Sequence, residues 1–196
     1  MNKLQGFLEL RKTDLPTIPW KKYEESTILD ENILWTIRTA VKTGDDLNLP
    51  RKVGVDSIEA REFAQKLLKS LNSDDLVIYY PYFIATKSGV LEVAENKTVI
   101  EAVKDDLWNL VTYNKKNVTA IFEEEDMRFI GEEDFLTPEE MLQLIRYSLI
   151  VKKKYSNILF SGKSLFLEWS FAQKSDINKT PQGDVNLLFY EIRSVD

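Results

Sequence analysis

A chain of 196 residues with 43% hydrophobic and 30% charged side chains can bury a real core. Its 32 acidic against 26 basic groups, net −6, repel a polyanion over most of the surface, so nucleic acid is not an expected partner. There is no cysteine and no histidine. That removes disulfides, thiolate and imidazole metal sites, and histidine-dependent nucleophilic catalysis. Acid–base work falls to Asp, Glu, Lys or Tyr. A metal would be held by oxygen ligands, which suits magnesium, manganese or calcium.

Residues 3–12 read as a short helix, followed by an extended stretch around Pro16 and Pro19. Residues 33–41, rich in β-branched and aromatic types, read as a strand, and 43–50 as a polar loop. Asp56-Ser57 opens a helix whose apolar stripe is Ile58, Ala60, Phe63, Ala64, Leu67, Leu68 and Leu71. Residues 76–85 read as a strand broken by Pro81, which cannot donate to a ladder. Residues 89–93 and 98–103 form an expected hairpin around Glu95-Asn96-Lys97, and 118–122 a further strand before the acidic loop 123–126. Thr137-Pro138-Glu139-Glu140 carries a capping box with proline at the first helical position. The helix it opens would bury Met141, Leu142, Ile145, Leu149 and Val151 and run to about Tyr155. Two strands, 165–171 and 186–195, close the chain around the polar loop 173–183.

No apolar run approaches the roughly 20 residues needed to span a bilayer. Nor does the start, Met1-Asn2-Lys3-Leu4-Gln5-Gly6-Phe7, carry the apolar segment of a signal peptide. The expectation is a cytoplasmic single domain over 1–196, with 1–75 and 76–196 as lobes and no membrane partner.

Pairing the last two strands antiparallel in a symmetric register sets Phe171 opposite Leu188 and Glu168 opposite Glu191. Two like charges then face each other across the ladder, which is destabilising unless a cation compensates. Arg193, two residues beyond Glu191, is the expected compensating group on that face, with Leu167, Trp169, Tyr190 and Ile192 on the other. Two carboxylates and an arginine fit a hard divalent cation carrying a phosphate; the same trio also reads as an ion-pair ladder on a solvated sheet.

Residues 166–170 (Phe-Leu-Glu-Trp-Ser), a polar loop, and 188–195 (Leu-Phe-Tyr-Glu-Ile-Arg-Ser-Val) resemble the close of the nucleotide-binding, ATP-grasp domain of phosphoenolpyruvate synthase and pyruvate phosphate dikinase. That family ends on an acidic Ile-Glu-Trp strand, a loop, and a Leu-Gln-Ala-Arg-Pro strand. Residues 35–41 with Gly44-Asp45-Asp46 resemble its Val-Arg-Ser-Ser strand and acidic loop. Residues 79–84 followed by Ser88-Gly89-Val90 resemble its adenine-receiving strand and Ser-Gly-Val. The resemblance implies ATP and magnesium as cofactors, with Glu168 and Glu191 on the metal and Arg38, Arg193 and Lys3 on phosphate. Tyr80, Tyr82 and Phe83 would lie against adenine. It implies phosphoryl transfer or carboxylate activation, with no residue singled out as a nucleophile. The chain departs from the family at Asp105-Asp106-Leu107-Trp108, where a Gly-Leu-Gly-Glu stretch is expected and the glycines are missing. That departure keeps a second expectation open: a degenerate fold of this type, acting as a regulatory or protein-interaction module.

Three other signals are set aside. Ser161-Gly162-Lys163-Ser164 lacks the first glycine of a P-loop and precedes a strand. Lys152-Lys153-Lys154 complements a helix dipole. The acidic residues of 123–134 lack calcium-loop spacing. The expected fold is α/β in the broad sense (α+β): a mixed, mainly antiparallel sheet with packed helices, a reduced ATP-grasp-like arrangement.

Overall fold

The computed structural model describes residues 3–42, 49–72, 74–107, 110, 115–124 and 126–195. The chain is a mixed α+β fold with two antiparallel sheets. In order, α1 is Lys3–Arg11, β1 Lys21–Lys22, β2 Trp35–Ala40, β3 Arg51–Val55, α2 Ser57–Ser70, β4 Leu76–Pro81, β5 Phe83–Val93, β6 Lys97–Lys104, β7 Val118–Glu123 and β8 Asp126–Gly131. A single 3-10 turn at Glu133–Phe135 leads into α3 Pro138–Lys154, α4 Ser156–Leu159, β9 Ser164–Ser175 and β10 Pro181–Val195. The first sheet runs β1-β4-β2-β3 and the second β10-β9-β5-β6-β7-β8. The chain changes sheet at Tyr82, immediately after Pro81, where the ladder donor is lost and the backbone turns from β4 into β5.

Each sheet buries one face against a helix. On the first, Trp35, Ile37 and Val77 meet Ala60, Ala64 and Leu67 of α2. Asp56 starts that helix by accepting from the amides of Ile58 and Glu59. On the second sheet, Leu91, Ile100, Leu167, Trp169, Phe189 and Ile192 meet Leu144, Val151 and Tyr155 of α3. The capping box expected at Thr137 and Glu140 is present. The two remaining faces look toward one another, and α1 fills one end of the space between them through Leu4 and Phe7, beside Ile78, Leu188 and Tyr190. Central strand β2 is therefore buried on both sides along its whole length.

Several sequence expectations shift. Two strands lie where no element was expected: Arg51–Val55 at the edge of the first sheet, after the loop through Pro50, and Asp126–Gly131, which begins on the last residue of the expected acidic loop. The last hairpin is longer than expected, with the ladder closing at Ser175 and Pro181. On α3, Leu142 and Leu149 are 65% and 59% exposed, while Leu144, Ser148 and Val151 form the buried line. A serine in the apolar stripe hid that face. Ser148 satisfies its hydroxyl locally, donating to the Ile145 carbonyl at 2.7 Å. Ile58 likewise points outward from α2.

Close approach demands glycine at two positions. A Cβ on Gly6 would strike the Ile192 carbonyl, so α1 can lie directly on β10. A Cβ on Gly89 would strike the Glu101 carbonyl and the indole of Trp169. Neither obstacle can move, because one is ladder backbone and the other a fully buried ring. Gly89→Ala is expected to lower unfolding stability by about 3 kcal/mol, the upper end of overpacking costs. Urea denaturation checks this: the midpoint should fall with the slope unchanged, and an unshifted midpoint contradicts it.

Candidate functional site

The two uncovered sheet faces enclose a cleft of about 480 Å³, within the range of ligand pockets. The first sheet supplies Thr36 and Arg38 from β2, Arg51 and Val53 from β3, and Tyr80 from β4. Tyr82, Phe83 and Ala85 come from the bend and the start of β5, and Asp106 and Leu107 from the turn after β6. The second sheet closes the cleft with Glu168 and Ser170 of β9 and Tyr190 of β10.

Glu168 stands directly opposite Glu191 in the β9–β10 ladder, as the symmetric register requires. The register does not hold throughout: Phe171 pairs with Leu187, and the ladder slips between Phe189 and Glu191. The extra residue is Tyr190. A bulge of this kind places neighbouring side chains on the same side of the strand, so Tyr190 lines the cleft instead of joining the core with Trp169 and Ile192. This corrects the face expected for Tyr190.

The cation that compensates the facing glutamates is Arg38, from the other sheet. Its guanidinium lies 3.9 Å from the Glu191 carboxylate, and the two residues are 8% and 6% exposed. Arg38 also hydrogen-bonds Tyr80 and sits 5.5 Å from the Phe7 ring centroid. Burial by itself would lower its pKa. The fields of Tyr80, Glu168 and Glu191 outweigh that, so Arg38 stays firmly protonated. Arg193 is elsewhere: it pairs with Phe166 across the ladder, its guanidinium stacks at 6.0 Å from that ring, and it does not line the cleft.

Of the residues singled out in the sequence, Arg38, Tyr80, Tyr82, Phe83 and Glu168 come together in one cleft, with Glu191 behind Arg38. The side chain of Lys3 and the whole of Gly44-Asp45-Asp46 fall outside the described residues, as does Trp108. Sequence reasoning missed Arg51, Asp106, Ser170 and Tyr190. Arg51 was legible: Pro50 followed by Val53-Gly54-Val55 is a bounded β-branched run. Tyr190 was not, because a bulge leaves no mark in the alternation of residue types.

The tyrosines of the cleft are neutral phenols. Burial raises the Tyr80 hydroxyl against the lowering influence of Arg38, and burial with the Tyr80 field raises Tyr190. Burial and the Asp106 carboxylate raise Tyr82. These hydroxyls are hydrogen-bond donors at any physiological pH. Among the lining residues the cations Arg38 and Arg51 are matched in number by the carboxylates Glu168 and Asp106, and a third carboxylate, Glu191, lies behind Arg38. Among the described residues no three acidic side chains converge into a metal cluster. The facing pair Glu168 and Glu191 offers the oxygen chemistry a hard cation prefers, with Glu168 on the cleft surface. Among the described residues no helix is long and apolar enough to cross a membrane.

No protein-family model matches the chain, and no curated protein matches it.

Two measurements test this geometry. Arg38→Met and Glu191→Gln each break a buried charge pair, and each is expected to cost about 3 kcal/mol in chemical denaturation. The double variant should cost less than the sum of the two, and additive losses contradict the pairing. The tyrosines set a pH signature. Their folded pKa values lie above the ordinary 10.0. The unfolded chain therefore releases these protons first; stability is complete below that value and declines as pH rises past it. Tyr190→Phe should flatten that decline in a denaturation series from about pH 8 to 11, and an unchanged slope contradicts the assignment.

Proposed function

We propose that the cleft binds ATP together with magnesium, as an ATP-grasp-type nucleotide site. The observation that supports this reading is the convergence of Arg38, Arg51, Glu168, Tyr80, Tyr82 and Phe83, drawn from both sheets, on a single cavity of nucleotide size. In this reading the phosphates lie toward Arg38 and Arg51, whose guanidinium planes match phosphate oxygens. The base lies against Tyr80, Tyr82 and Phe83. Glu168 would help hold the magnesium, since that ion is commonly bound by one or two carboxylates together with substrate phosphates and water. Bound there, the metal would neutralise phosphate charge and polarise the terminal phosphoryl group. Glu191 would act behind it, fixing Arg38. This set positions and neutralises charge, which is most of what phosphoryl transfer asks of a protein. The nucleophile that accepts the phosphoryl group, a carboxylate or another oxygen, would come with the substrate.

One observation favours the alternative, a degenerate fold serving as a regulatory or protein-interaction module. Arg38 is already faced by carboxylates, and with Glu191 behind it three carboxylates stand against the two guanidinium groups at the cleft. A polyphosphate without a metal would meet repulsion there. The two readings therefore divide on metal dependence. Thermal unfolding with ATP, with and without magnesium, on wild type and Glu168→Ala, separates them. Ligand at 100 times its dissociation constant adds about 2.7 kcal/mol. A shift that requires magnesium and disappears in the variant is the expected result. No shift at millimolar ATP with magnesium would sink the nucleotide reading and leave the interaction module.

A further inference from the structure

The side of α3 that turns away from the second sheet carries a pattern that packing on the sheet does not use. The buried line of the helix is Leu144, Ser148 and Val151. On the opposite side Glu139, Leu142, Arg146, Leu149 and Lys153 are all exposed, at alternating spacings of three and four residues. That is the spacing of a seam between two helices packed side by side. Its two leucines, Leu142 and Leu149, stand 65% and 59% in solvent. The three charges on the line are uncommitted. Among the described residues Glu139, Arg146 and Lys153 take part in no ion pair. Their neighbours are in use: Glu140 holds Lys87 at 2.6 Å and accepts from the Thr137 amide, and Lys154 donates to the Lys12 carbonyl. The charges are also segregated. No acidic residue occurs between Glu140 and Glu168, in a chain of net charge −6. The line therefore runs from negative at Glu139 to positive at Lys153, over about 20 Å of helix.

A line of this kind is complementary to itself in one direction only. Two parallel copies would set Glu139 on Glu139, Arg146 on Arg146 and Lys153 on Lys153. Antiparallel about a two-fold axis, the ordinary offset of such a seam sets Glu139 across from Leu149 of the second copy, and Leu142 across from Arg146. Each Glu139 carboxylate then falls between Arg146 and Lys153 of the other helix, and the two helix dipoles oppose. We propose that the outer face of α3 is a dimerisation surface, pairing antiparallel with α3 of a second copy of this chain. An anionic bilayer or a uniformly acidic helix would answer Arg146 and Lys153 but repel Glu139; a second copy answers all three. Charged residues within a seam fix its direction and register at a cost in affinity. One helix pair is also a small interface, so this dimer belongs to the weak end of specific association. Because α3 covers the face of the second sheet that looks away from the cleft, pairing leaves both clefts open. The inference does not depend on what they bind.

Sedimentation equilibrium on the full chain, over about 1 µM to 1 mM, tests it. Wild type should pass from monomer to dimer and no further, because a two-fold seam closes on itself. Glu139→Lys puts an ammonium between two cations of the second copy and should weaken dimerisation at least about tenfold. Reversing the whole line, with Glu139→Lys, Arg146→Glu and Lys153→Glu together, remakes the same pairs with opposite signs and should bring the dimer back. All three positions are exposed, so the circular dichroism of both variants should match wild type. A wild type that stays monomeric throughout overturns the proposal and leaves this face to a different partner. So does a Glu139→Lys variant that associates as wild type does, or a reversed line that remains monomeric.

Discussion

The buried guanidinium of Arg38 is the point at which the two sheets are joined electrically. Removing a cation from water costs several kcal/mol unless the interior returns the lost interactions. Here they are returned by Glu191 and Glu168 from one side, by Tyr80 from its own sheet, and by the ring of Phe7 from α1. The dependence is mutual. Glu168 and Glu191 face one another across the β9–β10 ladder, and two like charges at adjacent positions need a cation. Much of the architecture follows. Strand β2 must be central, α1 must lie close enough for Phe7 to reach, and Gly6 allows that approach to β10.

The same constraint shapes the cleft. Because Arg38 is faced by acidic groups, the cavity does not present a bare basic surface, and any polyanion entering it would have to arrive with its own positive charge. That argues for a metal–phosphate complex over a free phosphate on the proposed reading. The β10 bulge adds to this by turning Tyr190 out of the core and into the wall, where it shares a hydrogen bond with Ser170. Residues far apart in the chain, from Thr36 to Tyr190, are thereby gathered mostly on strands of the two sheets, with Tyr82, Asp106 and Leu107 from a bend and a turn between them.

Much of the fold was legible in the residues. The capping box at Thr137, the N-cap at Asp56, the strand break at Pro81 and the opposition of Glu168 and Glu191 are each written in local chemistry, and each is present. What was not legible was tertiary. Arg193 is the nearest cation to Glu191 in sequence, yet the charge is met from a strand some 150 residues earlier, which no periodicity within the hairpin encodes. The exposure of Leu142 and Leu149 follows from where the sheet lies under α3, and Ser148 disguised the buried line. Arg51 was hidden by reading a polar loop through Pro50, although the residues after it alternate as an edge strand should. Asp106 was weighed only for the glycine it replaces.

The central claim is that one ligand bridges both sheets at this cleft. Hydrogen–deuterium exchange with and without magnesium and ATP tests it most directly. The nucleotide reading predicts slowed exchange in β2, β4, β9, β10 and the Asp105–Leu107 turn together, with α3 and β8 unchanged. Exchange that is the same in both conditions, or protection confined to surfaces away from the cleft, would contradict it.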